Sequence, residues 1–235
     1  MRQLALPLAP APSFAAADFI ADASNMEALR WLSAPAAWPQ GRLVLAGPPG
    51  TGKTHLLRIA ADRHGFEWRE GPGLRGLPPA PRAGVALDLA DLPAEEPAML
   101  HLLNACAEAR LPLLMAAAAP PSRWGVRLPD LRSRLATAAV AMTDEPSDAL
   151  LDALFAKLLA DRQLQLDPAL RAFLRPRLPR SAAELAQAVA RLDRLSLRAG
   201  GRLNRRIALA ALEPWLTEGT DSPDEAALRE APLLL

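Results

Sequence analysis

A glycine-rich segment between an apolar run and a helix constrains the fold of this chain more than any other feature. Residues 47–54 read Gly-Pro-Pro-Gly-Thr-Gly-Lys-Thr, which matches the pattern G-x-x-x-x-G-K-[S/T]. The run at 43–46 predicts a buried strand, and the residues after the segment predict a helix over 53–64. Chance would produce this pattern about 0.0004 times in a chain of this composition. The order of strand, turn and helix therefore predicts a phosphate-binding loop.

The residue types of this segment suit the binding of a nucleotide and Mg²⁺. Glycines let consecutive backbone N–H groups point at one anion, and the following helix adds its positive end. Lys53 would reach the terminal phosphates, and the Thr54 hydroxyl would ligate Mg²⁺. The chain has one other lysine, Lys157, and otherwise uses arginine, so a lysine stands where a compact ammonium is required. A loop that has lost its ligand is the alternative. We assign the nucleotide site to Gly47, Pro48, Pro49, Gly50, Thr51, Gly52, Lys53 and Thr54.

A carboxylate at the end of a second buried strand completes the expected metal site. The run Val85-Ala86-Leu87 is followed by Asp88, and such a residue beside a phosphate-binding loop holds the water shell of Mg²⁺. An ordinary aspartate at a strand end is the alternative. Position 89 is leucine, so the acid that would orient an attacking water is absent there.

Apolar runs alternate with helical patterns through the first 143 residues. This alternation is typical of an α/β fold with a parallel sheet and helices on both faces. From Pro146 onward only amphipathic helical spacing occurs, which predicts a helical second domain. Strands are predicted at 43–46, 66–69, 85–88, 113–117 and 138–142. The predicted organisation is an extended arm (1–13), an α/β base (14–143), a helical domain (144–217) and a tail (218–235).

Composition excludes several classes of protein. The formal net charge of +1 gives no general reason to bind nucleic acid or anionic lipid. No apolar run approaches the ~18 residues that span a bilayer, and prolines interrupt the N-terminal apolar stretch that would otherwise resemble a signal peptide. The single cysteine, Cys106, cannot form an internal disulfide. We expect a cytoplasmic protein without a membrane partner.

Four segments carry a resemblance to a known family. They are Asp18-Phe19-Ile20, Ser24-Asn25, His55-Leu56-Leu57 directly after the loop, and Leu128-Pro129-Asp130-Leu131-Arg132-Ser133-Arg134-Leu135. Together with the helical C-terminal part they resemble the AAA+ ATPase core of the replication initiator DnaA, and within that family the shorter Hda-like regulators. The resemblance extends over about residues 1–217. It implies an AAA+ base with a helical lid and adenine nucleotide, ATP or ADP, as the cofactor with Mg²⁺.

The resemblance also assigns roles to three residues. Arg134 corresponds to the arginine finger that acts on the nucleotide of a neighbouring molecule, and Phe19 and Ile20 correspond to residues that line the adenine pocket. A surface arginine that contacts Asp130 is the alternative for Arg134. Sequence-specific DNA binding is not expected, because the DNA-binding domain of the initiator would need about a hundred further residues.

Departures from the family pattern concern ATP hydrolysis. The polar residue that senses the terminal phosphate falls within 115–119, where the chain has Met115 and four alanines. The arginine of the family's lid aligns with Ala183, and Arg180 lies one helical turn away. With Leu89, these changes predict a site that holds nucleotide but hydrolyses ATP slowly.

The N-terminal arm resembles the peptide by which Hda-like proteins bind the sliding clamp of DNA polymerase. The peptide residues are Gln3, Leu4, Leu6 and Leu8, and prolines after them reduce the entropy lost on docking. A solvated tail is the alternative. The resemblance thus implies a negative regulator of replication initiation that binds the clamp and stimulates ATP hydrolysis by DnaA through Arg134. A non-catalytic AAA+ adaptor or loader is the alternative function, and self-association stays open.

Overall fold

The computed structural model describes residues 15–89, 94–200 and 203–215. The predicted clamp-binding arm and the tail lie outside these residues. The described chain divides into two compact units between Ser147 and Asp148. None of the described helices is long and apolar enough to cross a membrane.

The first unit alternates strands and helices along the chain. Its helices and strands are, in order, α1 (Met26–Leu32), β1 (Arg42–Ala46), α2 (Lys53–His64), β2 (Glu67–Glu70), β3 (Val85–Asp88), α3 (Glu96–Glu108), β4 (Leu113–Ala117), α4 (Pro129–Leu135) and β5 (Ala139–Met142).

The five strands form one parallel sheet in the order β2-β3-β4-β1-β5. Ala46 at the end of β1 pairs with Ala117 on one side and Met142 on the other, and Asp88 pairs with Ala116. The carboxyl ends of four strands therefore meet at one edge of the sheet. The predicted α/β fold with a parallel sheet is confirmed.

Apolar side chains cover both faces of this sheet because successive residues of a strand point to opposite sides. Val44, Leu87 and Met115 join α3 and α4 in one core. Leu45, Ala86 and Leu114 join α1 and α2 in the other. The two cores fix the positions of the strand ends.

The second unit is helical, with α5 (Asp148–Asp161), α6 (Pro168–Leu174), α7 (Ala182–Arg198) and α8 (Arg205–Leu212) around one apolar core. Side-chain oxygens of Asp167, Ser181 and Asn204 accept backbone N–H groups at the starts of α6, α7 and α8. Such caps satisfy amides that a helix leaves without partners. The sequence predicts helices over 167–174, 181–197 and 206–216, and these caps explain why the three helices begin within a residue of those positions.

Two local predictions differ from the structure. The sequence predicts that Ser24 or Asn25 caps α1, but the Asn25 side chain turns away from the helix, accepting from the Asp22 amide and donating to the Ile20 carbonyl. The sequence also predicts the helix near Arg134 at about 131–135, whereas α4 begins at Pro129. The Glu96 carboxylate, at the start of α3, accepts hydrogen bonds from the Arg127 and Leu128 amides just before Pro129. Local sequence does not reveal this contact.

Candidate nucleotide-binding site

The loop between β1 and α2 has the backbone geometry that the glycine-rich sequence predicts. Gly50 and Gly52 have φ values of +80° and +86°, in the left-handed region that side chains with a Cβ rarely adopt. Gly52 directly precedes α2, a helix of 12 residues. The N-terminus of this helix therefore faces the loop, where its backbone N–H groups can bind phosphate oxygens.

Lys53 lies inside this loop. Its Nζ donates to the carbonyl oxygens of Gly47 at 2.8 Å and Pro48 at 2.6 Å, and the residue is only 7% exposed. Burial lowers the pKa of the Lys53 ammonium, while the nearby Asp88 carboxylate acts in the opposite direction. A phosphate oxygen would replace weaker carbonyl acceptors at this ammonium, because a charged acceptor forms the stronger hydrogen bond.

Thr54 and Asp88 meet at the carboxyl edge of the sheet. The Thr54 hydroxyl donates to Asp88 Oδ2 at 2.8 Å. Both groups present hard oxygen ligands, and Mg²⁺ commonly takes one or two protein ligands with phosphates and waters completing its octahedron. The described residues contain no cluster of three or more His, Cys, Asp or Glu that could hold a metal alone. The pair therefore fits Mg²⁺ bound together with a nucleotide rather than an all-protein metal cage.

Thr143 is a site residue that the sequence analysis missed. It follows β5, is fully buried, and its hydroxyl lies 2.8 Å from the Thr51 hydroxyl. Its backbone amide donates to the Ala46 carbonyl at 2.8 Å, and a Cβ on Gly47 would overlap with the Thr143 carbonyl. Thr143 thus fixes the start of the loop. A polar residue directly after a buried strand, at the sheet edge that carries the loop, was the available signal.

Phe19, which the resemblance assigns to the adenine pocket, lies against the loop. Its ring contacts the His55 ring edge-to-face at 5.2 Å between centroids, and a Cβ on Gly52 would lie 3.4 Å from Phe19 Cε2. Ile20 is next to it in the chain, and its carbonyl accepts from the Asn25 side chain. The structure therefore places the 18–20 segment beside the first turn of α2.

Hydrocarbon side chains occupy the positions where hydrolytic groups are expected. Leu89 continues from Asp88, donates its amide to the Ala116 carbonyl at 2.8 Å and packs against the apolar core. The end of β4 supplies only methyl side chains near the loop, and the Gly47 amide donates to the Ala117 carbonyl. In the helical unit Arg180 pairs with Asp148 at 2.9 Å. Position 89, directly after Asp88, is leucine and supplies no carboxylate to orient a water.

Arg134 lies at the opposite edge of the sheet. Its backbone carbonyl accepts from Arg42 Nη1 at 3.0 Å, and Arg42 begins β1, whereas the loop follows the end of that strand. Four residues of extended strand separate these ends by about 13 Å. The Arg134 guanidinium forms no hydrogen bond or ion pair with any described residue, so the predicted alternative contact with Asp130 is not formed. Arg134 is therefore separated from the loop of its own chain.

The four predicted clamp-binding residues, Gln3, Leu4, Leu6 and Leu8, lie outside the described residues.

Comparison with solved structures shows the fold. Domain III of the replication initiation protein DnaA from Thermotoga maritima is 15% identical with a TM-score of 0.71, covering 88% of this chain and 99% of that one. AMPPCP-bound DnaA from Aquifex aeolicus is 15% identical with a TM-score of 0.60, covering 78% of this chain and 64% of that one. A RuvB variant from Thermotoga maritima is 20% identical with a TM-score of 0.60, covering 82% and 69%. The chain has the AAA+ P-loop fold.

Other comparisons give no assignment. No protein-family model matches the chain. A search of curated proteins finds no significant match.

Proposed function

We propose that this protein binds adenine nucleotide and regulates replication initiation by promoting ATP hydrolysis on a neighbouring DnaA molecule through Arg134. The observation that carries the proposal is the position of Arg134. Its guanidinium has no partner among the described residues, and its backbone carbonyl lies at the sheet edge opposite to its own nucleotide loop. An arginine so placed is available to the nucleotide of another molecule.

The nucleotide loop of this chain serves binding in the proposal. Backbone N–H groups of the loop and the Lys53 ammonium hold the phosphates, and Thr54 with Asp88 holds Mg²⁺. Bound Mg²⁺ neutralises charge on the phosphate oxygens. Leu89 supplies no base to activate a water molecule. The bound nucleotide therefore stabilises the conformation of this chain and is not hydrolysed. The likeness to AMPPCP-bound DnaA supports an adenine nucleotide as the ligand.

Arg134 would act by stabilising negative charge in the transition state on the partner's phosphates. Arginine fingers supplied by another molecule raise hydrolysis rates by about 10³–10⁵. The planar guanidinium donates two parallel hydrogen bonds to phosphate oxygens, which a lysine ammonium cannot reproduce. The residue therefore contributes orientation as well as charge.

We further propose that the arm at Gln3, Leu4, Leu6 and Leu8 binds the sliding clamp on DNA. The similarity to the clamp-binding peptide of Hda-like proteins supports this step. Leucines fill an apolar groove and a glutamine amide supplies hydrogen bonds beside it. Binding to a clamp on DNA would raise the local concentration of the protein near an initiator that is bound to the same DNA.

The experiment compares Arg134 with Arg123, an arginine that precedes helix α4 in the chain. ATP turnover by DnaA is measured with DNA-loaded clamp and either the unmodified protein, Arg134→Ala or Arg123→Ala. The side chain of Arg123 is exposed, so its removal should leave the fold unchanged. We expect stimulation by the unmodified protein and by Arg123→Ala, and none by Arg134→Ala. Full stimulation by Arg134→Ala, or none by the unmodified protein, contradicts the proposed function.

A non-catalytic adaptor is the second candidate function. Leu89 and the alanines that end β4 favour it equally, because both functions need nucleotide binding without turnover. The same assay separates the two candidates, since an adaptor binds its partner without changing the rate at which DnaA hydrolyses ATP.

A further inference from the structure

Helix α4 carries Arg134 and is held at its N-terminal end by a carboxylate from α3. Glu96 accepts from the Arg127 amide at 2.9 Å and from the Leu128 amide at 2.8 Å. Leu128 directly precedes the first residue of α4. These two amides, with nearby arginines, hold the pKa of the Glu96 carboxyl below its usual range, so the carboxylate stays ionised at neutral pH.

The C-terminal end of α4 is held by an arginine from β1. Arg42 Nη1 donates to the Arg134 carbonyl at 3.0 Å and to Thr137 Oγ1 at 3.2 Å. Arg42 is only 6% exposed, and burying a cation costs free energy that an aliphatic side chain would avoid. Its guanidinium binds the backbone of the residue whose side chain is proposed to act on the partner.

The length of α4 makes these contacts important. The helix has only seven residues, and helices this short are not stable without tertiary contacts. Leu131 and Leu135 anchor one face in the core, but apolar contacts alone do not fix the position of a helix along its own axis. Directional hydrogen bonds at both ends do.

Two positive charges lie close together at this end of α4. Burial lowers the pKa of the Arg42 guanidinium, and the positive charge of Arg134 lowers it further.

We propose that Arg42 and Glu96 are positioning residues that hold both ends of α4 so that Arg134 is presented to the nucleotide of the partner. Neither side chain touches the reacting atoms in this arrangement. The proposal rests on the proposed function of Arg134.

The activity test uses Arg42→Met and Glu96→Ala, each titrated into DnaA with DNA-loaded clamp. We expect the maximal stimulated rate of ATP hydrolysis to fall at least tenfold, while the concentration that gives half-maximal stimulation stays unchanged. Glu96→Gln keeps one acceptor oxygen and should give an intermediate rate. Glu95→Ala is the matched control, because its carboxylate binds the Gly76 amide rather than α4. A loss that appears only in half-saturation contradicts a positioning role.

An unchanged maximal rate in the single variants contradicts the proposal.

A second measurement needs no partner. Hydrogen exchange at the Arg127 and Leu128 amides should become at least tenfold faster in Glu96→Ala and stay unchanged in Glu95→Ala, and exchange near the end of α4 should quicken in Arg42→Met. If the unmodified protein stimulates no hydrolysis, the proposed function fails on that result, and the exchange rates separately decide whether these residues hold α4. Unchanged exchange rates in both variants contradict the proposal.

Discussion

At the residue scale, the two lysines of the chain provide a matched test of the nucleotide loop. Lys53→Ala removes the buried ammonium, whereas Lys157→Ala removes one that pairs with Asp161 on α5. ADP at a hundred times its dissociation constant should raise the free energy of unfolding by about 2.7 kcal/mol. We expect this stabilisation to vanish in Lys53→Ala and to persist in Lys157→Ala, as measured by thermal denaturation. An unaltered ADP effect in Lys53→Ala would exclude the loop as the binding site.

Cys106 supports a second residue-scale prediction. Burial raises the pKa of its thiol to about 11, with the Arg69 and Arg42 guanidinium groups acting in the opposite direction. A thiol with this pKa is about one part in 10³ thiolate at pH 8, and the thiolate is the reactive form. We expect a disulfide reagent to leave Cys106 unmodified in the folded protein at pH 8 and to modify it after denaturation in urea. Rapid modification of the folded protein would show that the α3 helix opens readily.

At the element scale, β5 supports the nucleotide loop through a single buried threonine. Thr143→Val keeps the shape of the side chain but removes the hydroxyl that meets Thr51. The Thr51 hydroxyl still reaches the Pro48 carbonyl, so the loop should loosen rather than unfold. A lost buried hydrogen bond typically costs about 1 kcal/mol, which predicts roughly fivefold weaker ADP binding by calorimetry.

The control for this element is Thr143→Ser, which retains the hydroxyl. Its ADP affinity should stay close to that of the unmodified protein. Equal weakening in both variants would show that the threonine methyl group, and not the hydrogen bond, supports the loop.

Local sequence predicts β1, β3, β4 and β5 well because each contains an uninterrupted apolar run, whereas β2 reads Glu-Trp-Arg-Glu and carries no such signal. Val85-Ala86-Leu87 is buried on both sheet faces, so its apolar character is continuous and recognisable. The Thr54–Asp88 contact was predictable because Asp88 ends an apolar strand and Thr54 closes the glycine-rich motif at the start of α2. Contacts from distant segments were not predictable: Thr143 joins Thr51 across 92 positions, and Arg42 joins Arg134 across the same separation. No spacing rule relates such pairs.

At the scale of the whole molecule, the parallel sheet separates two kinds of chemistry. All strands run in one direction, so their carboxyl ends gather the loop, Thr54 and Asp88, while Arg42 and Arg134 lie where β1 begins. Under the proposed function, one molecule would hold its own nucleotide at one edge and present Arg134 at the other. A chain with leucine at position 89 would then still take part in ATP hydrolysis by a neighbour.

The proposed clamp-binding arm and the nucleotide loop are separate segments of the chain, which leads to a last prediction. A variant with Gln3→Ala, Leu4→Ala and Leu6→Ala removes one glutamine amide and two leucine side chains, each leucine contributing about 1.5–3 kcal/mol when buried. Calorimetry should detect almost no binding of this variant to the sliding clamp. Its stabilisation by ADP should equal that of the unmodified protein, because the nucleotide loop lies in the base.

Stimulation of DnaA should fall at low protein concentration and recover at high concentration, since docking supplies proximity while Arg134 supplies the chemistry. Unchanged clamp affinity would show that the arm is a solvated tail, and loss of stimulation at every concentration would show that the arm does more than bring the two proteins together.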